Sequence, residues 1–166
     1  FTSPLDTAVG LERTTTQLIK VEVVKGEYRF EFSELKRWID LCKKCGIEYY
    51  EMSHLFSQWG AKYAPKVVAE VDGKEEKIFG WHTQAVGEYT RFLKAFLPQL
   101  IEKLKEWNID QVTYFHISDE PREEHLESYR VAKESLGNML DGFHTFDALS
   151  SYEFYRHGLI DKPIPG

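Results

Sequence analysis

The chain has 166 residues, of which 42% are hydrophobic and 29% charged, with a formal net charge of −6. This is the composition of a globular domain with a core of its own. It contains no apolar run near the ~18 residues that span a bilayer as a helix, and no Lys/Arg cluster interleaved with aromatics of the kind a phosphate backbone requires, which sets nucleic acid aside as a partner.

The first 14 residues read as irregular. The opening Phe1-Thr2-Ser3-Pro4 does not look like a natural start, so the N-terminus reads as truncated and the compartment stays open between secreted and cytoplasmic. Residues 18–24 and 28–32 are β-like runs around Lys25-Gly26, a hairpin signal. Ser33 is placed to cap a helix whose buried face is Leu35, Trp38, Ile39 and Cys42, with Gly46 as terminator. Residues 47–52 read as a buried strand ending in Glu51, Ser53 and His54, with Tyr49 and Tyr50 in the core. A long connection follows, carrying Trp59, Tyr63 and Pro65, and within it 67–71 and 77–79 flank Asp72-Gly73 as a second hairpin. Connections of that length are commonly functional.

From 83 to 107 the apolar residues Val86, Tyr89, Leu93, Phe96, Leu97, Leu100, Ile101 and Leu104 recur at helical spacing, and Pro98 predicts a kink or two abutting helices. Residues 112–117 form the next strand, 121–136 a helix, 142–146 a strand ending at Asp147, and 150–157 a short helix. Strands alternating with helices from residue 33 onward predict an α/β architecture with parallel strands. Periodicity alone leaves a small open sheet and part of a barrel equally available.

Phe115-His116-Ile117-Ser118-Asp119-Glu120-Pro121 is the most informative stretch. It is a short apolar strand ending in two adjacent carboxylates, and in β/α proteins the carboxyl end of a strand is where sites are built. Two acids there suit sugar-cleaving chemistry, one protonating the leaving oxygen and the other stabilising the cationic centre. The same residues also make an ordinary helix start, with Glu120 as N-cap, Pro121 at the first helical position and Glu123 at the third. The pair Cys42-Lys43-Lys44-Cys45 invites a redox or zinc reading. Two thiols cannot complete a zinc site, and a pair at a helix C-terminus has the dipole against thiolate formation, so core packing is the expectation.

Gly46-Ile47-Glu48-Tyr49-Tyr50-Glu51, His54-Leu55-Phe56, Gln58-Trp59-Gly60, Ala64-Pro65-Lys66 and the Phe115–Pro121 stretch resemble the catalytic domain of glycoside hydrolase family 123 and its uncharacterised relatives, over roughly residues 14–166. The resemblance implies a (β/α)8 TIM-barrel-like fold. A complete barrel takes about 250 residues, so 1–166 is expected to be a single domain forming a partial barrel of parallel strands with an inserted β-hairpin, a fragment of a larger glycoside-hydrolase-like barrel. It also implies cleavage of β-linked N-acetylhexosamine, N-acetylgalactosamine in particular, by a retaining, substrate-assisted mechanism with no cofactor or metal. Its catalytic pair falls on Asp119 and Glu120. Characterised members carry additional β-rich domains that this chain lacks, so the isolated chain is expected to be inactive where missing strands supply part of the site.

Glu51, His54, Trp59, Trp81, His116 and Asp147 are the candidate substrate-binding residues. Each has a plainer reading: loop-stabilising contacts for Glu51 and His54, packing of the long insertion for the tryptophans, a hydrogen-bonded core histidine for His116, and a helix N-cap for Asp147. Two other functions remain open. One is a noncatalytic carbohydrate-binding module using Trp59 and Trp81. The other is a metal-dependent sugar isomerase or hydrolase drawing ligands from His54, His82, His116, Asp119, Glu120 and His144, although none of these show a familiar ligand spacing. Exposed strand edges of an incomplete barrel predict self-association.

Overall fold

A computed structural model describes residues 10, 16–149 and 151–165; the expectation of irregular structure over the first 14 residues falls almost wholly outside these. Strands β1 (Lys20–Val24) and β2 (Glu27–Glu31) pair antiparallel. Their two-residue loop, Lys25 and Gly26, has φ of 54° and 81°, the double positive of a type I′ turn. Helix α1 (Ser33–Lys44) buries Leu35, Ile39 and Cys42. Trp38, expected on that face, is 46% exposed, because positions i, i+4 and i+7 already fill the seam and i+3 falls on its flank. Ser33 does not cap the helix: Phe32 holds the N-cap position, and the Ser33 N–H and Oγ both donate to the Glu31 carboxylate at 2.7 and 2.8 Å.

The expected strand at 47–52 contracts to β3 (Tyr50–Glu51), with Tyr50 buried but Ile47 and Tyr49 exposed. Strands β4 (Val67–Val71) and β5 (Lys74–Phe79) form the second hairpin, and Asp72 and Gly73 repeat the double positive φ at 49° and 78°. Helix α2 (Glu88–Glu106) begins later than the periodicity indicated and leaves Val86 half exposed. It runs through Pro98 as one helix rather than two.

Strand β6 (Thr113–Phe115) follows, then a 3-10 turn (Glu123–His125) leading into α3 (Leu126–Ser135). The helix therefore starts several residues after Pro121, and Glu120 is not its N-cap. Strand β7 (His144–Leu149) sits later than expected and places Asp147 in mid-strand, so Asp147 is not a helix cap either. Helix α4 (Glu153–Arg156) leads to β8 (Lys162–Pro165), which the sequence did not announce.

Two sheets result. The two hairpins join through a parallel β1–β4 pairing into a sheet of order β2-β1-β4-β5. The other sheet, β3-β6-β7-β8, is parallel throughout and takes its strands in chain order. Phe92 and Phe96 of α2 pack on Tyr28, Phe30 and Phe79 of the hairpin sheet, while Leu93, Leu97 and Leu104 are almost wholly buried. This is a mixed α/β fold. On the parallel sheet, Thr113 and Phe115 face the core, with Ile117 buried just past β6, whereas Tyr49, Tyr114, Phe146, Lys162 and Ile164 line an open groove. Parallel sheets are normally covered on both faces.

Candidate active site

The chain beyond β6 leaves the strand through a series of bends, and the segment after β3 runs along it. Met52, Leu55, Phe56 and Trp59 donate their N–H groups to the carbonyls of Tyr114, His116, Ile117 and Asp119 at 2.8–2.9 Å. The Ser118 hydroxyl donates to the Ser57 carbonyl at 2.8 Å. These bonds bring the ends of two neighbouring parallel strands into one cluster, so Glu51 and His54 lie beside His116 and Asp119.

Backbone strain concentrates here. Trp59, Ala61 and Glu120 have φ of 62°, 53° and 44°, and Gly60 lies at 150°. Left-handed non-glycine residues cost about 1–3 kcal/mol each and gather at functional sites. Asp119 is half-buried and accepts a hydrogen bond from Gln58 Nε2 at 2.8 Å on Oδ2. Glu120 is exposed and the following Pro121 is buried, so the second carboxyl stands out from a firmly held backbone.

His116 is the hub of the cluster. Its Nε2 lies 3.3 Å from Glu51 Oε1 and its Nδ1 lies 3.4 Å from Asp147 Oδ1. The His54 ring stacks on it at 4.8 Å and Phe146 meets it edge-on at 4.3 Å. The approach of Nδ1 to Asp147 has the distance of an ion pair, and that nitrogen is buried with no other hydrogen-bond partner among the described residues. Burial first, then the neighbouring His54, push His116 down to about 4; burial alone pushes His54 to about 4. Burial and then the Asp119 charge raise the Glu51 carboxyl.

Asp147 is fully buried. Its Oδ2 accepts from the Tyr129 hydroxyl and its Oδ1 from the Ser118 N–H at 3.3 Å. Burial raises its carboxyl well above the usual range, against the opposing pull of those hydrogen bonds. Trp59 and Trp81 are 43% and 40% exposed. Trp59 joins the cluster through its backbone, whereas the ring contact of Trp81, at the end of β5, is an edge-on one with His82. Gln58 and Tyr129 had no assigned role in the sequence; the only signal for Gln58 was its place in the Gln58-Trp59-Gly60 motif, and Tyr129 gave none. Cys42 is buried with its thiol raised by burial, and Cys45 is exposed, both as free thiols. Among the described residues no group of three or more His, Cys, Asp or Glu side chains converges to hold a metal ion.

The family model described as "Glycoside hydrolase 123, catalytic domain" matches residues 1–166, so the chain belongs to that family. A solved structure of a family 123 glycoside hydrolase from Clostridium perfringens, described for glycolipid glycan hydrolysis, superposes with a TM-score of 0.67 at 19% identity. The match covers 93% of this chain and 27% of that one, so the chain spans about a quarter of its structural relative. No protein of curated function matches the chain in sequence.

Proposed function

We propose that this member of glycoside hydrolase family 123 contributes the catalytic pair for cleaving β-linked N-acetylhexosamine, N-acetylgalactosamine in particular, through a retaining, substrate-assisted mechanism. The observation that carries this is the pairing of a braced carboxylate, Asp119, with an exposed one, Glu120, on a strained turn at the carboxyl end of a parallel strand. A substrate that supplies its own nucleophile needs no protein carboxylate at the anomeric carbon, so two adjacent acids suffice. The 2-acetamido oxygen attacks the anomeric carbon as the glycosidic C–O bond breaks. Asp119 accepts the acetamido N–H and stabilises the positive charge on the oxazolinium intermediate. Glu120 gives its proton to the leaving oxygen, then takes one from the water that opens the intermediate with retention.

Glu51 and His54 line the same cluster and are assigned to sugar hydroxyls, with His116 behind Glu51 and the exposed faces of Trp59 and Trp81 as platforms for pyranose rings. We read the four parallel strands as part of a (β/α)8 barrel whose interior face is the open Tyr49–Tyr114–Phe146 side, with the remaining strands contributed from outside residues 1–166. The glycolipid glycan hydrolysis described for the Clostridium perfringens protein supports a glycoconjugate substrate.

The test is hydrolysis of aryl β-N-acetylgalactosaminide and β-N-acetylglucosaminide by this chain and by its longest natural parent. Glu120→Gln is expected to reduce turnover by roughly 10²–10⁴-fold with substrate binding kept, and the aryl β-galactoside without an acetamido group should not be cleaved. Turnover untouched by Glu120→Gln overturns the assignment. Sugar binding without hydrolysis, even in the parent, transfers the site to a noncatalytic binding role.

A further inference from the structure

The cluster around His116 contains a mismatch that turns on where a buried proton lies. Nε2 lies 3.3 Å from Glu51 Oε1, whose side chain is 57% exposed and, as a carboxylate, can only accept. With its proton on Nε2, a neutral His116 leaves Nδ1 as a bare lone pair, and that lone pair faces Asp147 Oδ1 across 3.4 Å. Two acceptors at that distance repel unless a proton sits between them. It can sit on nitrogen, giving an imidazolium–carboxylate pair, or on oxygen, giving a neutral imidazole and a carboxylic acid; the net charge is the same.

Burial decides between the two. The His116 side chain is 6% exposed and that of Asp147 is 0%, so the ionic arrangement would strip two charges of water at a cost of several kcal/mol each. The stacked His54 ring lends an imidazolium no anionic partner. Tyr129 O–H and Ser118 N–H favour an Asp147 anion, but they do not replace its lost hydration. Of the other charges nearby, Asp119 favours a protonated His116, and Lys133 on α3 and Asp161 reach Asp147 and Tyr129 with opposite signs.

We propose that Tyr129, Asp147, His116 and Glu51 form one directed chain, in which neutral Asp147 donates to His116 Nδ1 and fixes His116 as the Nε2–H tautomer that holds Glu51 as a carboxylate acceptor for a sugar hydroxyl beside Asp119. Glu51 is then the substrate-contacting group, and His116, Asp147 and Tyr129 are positioning residues. The ligand in this proposal rests on the carbohydrate reading above; the proton placement does not.

The experiment has two arms on the full chain. Nitrogen-15 NMR of the histidines at about pH 7 reads the tautomer without any ligand: Nδ1 of His116 is expected unprotonated and Nε2 protonated. Asp147→Asn, whose amide can still donate, should keep that tautomer; Asp147→Leu should shift it, and where the leucine variant does not fold, Tyr129→Phe replaces it, with weaker fixation expected. A protonated Nδ1 in the unaltered chain overturns the proton placement. The second arm titrates N-acetylgalactosamine into the unaltered chain and Glu51→Gln. Loss of a hydrogen bond to a charged acceptor predicts roughly 10- to 100-fold weaker binding for Glu51→Gln. Equal affinity in Glu51→Gln overturns the contact. No binding to the unaltered chain overturns the ligand half together with the carbohydrate reading, while the histidine spectrum still decides the proton.

Discussion

Gly60→Ala tests whether the strained turn beneath Asp119 is held by packing. A Cβ at residue 60 would stand 3.0 Å from His125 Cγ and Cδ2 and 3.2 Å from Ser128 Oγ, at a φ of 150°. Neither neighbour yields freely: His125 Nδ1 accepts the Arg122 N–H at 3.1 Å, and Ser128 Oγ donates to the His125 carbonyl at 3.1 Å. Backbone strain of about 1–3 kcal/mol adds to overpacking of about 1–3 kcal/mol, and the stiffer unfolded chain returns about 0.4–1 kcal/mol. The net expectation is a loss of about 2–4 kcal/mol, which for a chain of this size lowers Tm by roughly 5–15 °C. The assay is urea unfolding of Gly60→Ala beside Gly26→Ala. Gly26 also has a positive φ, 81°, but nothing lies within 4 Å of its added Cβ, so only the backbone term of about 1 kcal/mol applies. Equal losses in the two variants would refute the packing argument.

Other outcomes follow from the same geometry. His54 and His116 are held neutral in the fold, their values lowered from 6.5 to about 4, so the unfolded chain takes up protons first on acidification. Stability should fall as pH drops from about 6.5 towards 4, by up to about 3 kcal/mol per histidine at the acid end. Asp147, raised by burial, acts with the opposite sign and loses its contribution as pH rises through its folded value; a urea midpoint flat between pH 7 and pH 4.5 would contradict the histidine argument, and His54→Gln should make the slope shallower. Gln58→Leu frees Asp119 Oδ2 of its 2.8 Å donor and is expected to lower kcat roughly 10- to 100-fold with KM little changed, read with the aryl glycosides. The open Tyr114–Phe146 face predicts concentration-dependent self-association of this chain; a monomer by light scattering at high concentration would count against it.

Local chemistry made the hairpins and helix faces legible. Lys25-Gly26 and Asp72-Gly73 adopt the positive φ values their turns require, and Leu35, Ile39 and Cys42 mark the buried stripe of α1. What the sequence could not announce is long-range. The parallel pairing of β1 with β4 joins segments more than forty residues apart without a local mark. Lys162-Pro163-Ile164-Pro165 reads as a strand breaker, yet it forms β8, because an edge strand can place residues lacking N–H on its unpaired side. The sequence pointed to Glu51, His54, His116, Asp119 and Asp147, which the fold gathers, but not to the reason Asp147 is there. Its partner Tyr129 lies on a helix 18 residues away, and the strand-end pattern suggested only a cleft residue or a cap.

The left-handed conformation of Glu120 ties the strain to the proposed chemistry. Along an extended strand, adjacent side chains point to opposite faces, so two neighbouring carboxylates cannot serve one substrate unless the backbone turns between them. A φ of 44° at Glu120 makes that turn, at a cost of roughly 1–2 kcal/mol for an L residue. Glu120→Gly should therefore be stability-neutral or gain up to about 1 kcal/mol, since relief of the strain offsets the extra freedom glycine brings to the unfolded chain. Glu102→Gly, at an exposed position inside α2, should instead lose about 1 kcal/mol from helix propensity alone. Urea unfolding of the two variants side by side decides it: if Glu120→Gly loses as much as Glu102→Gly, the turn is not under strain, and the adjacency of the two acids needs another explanation.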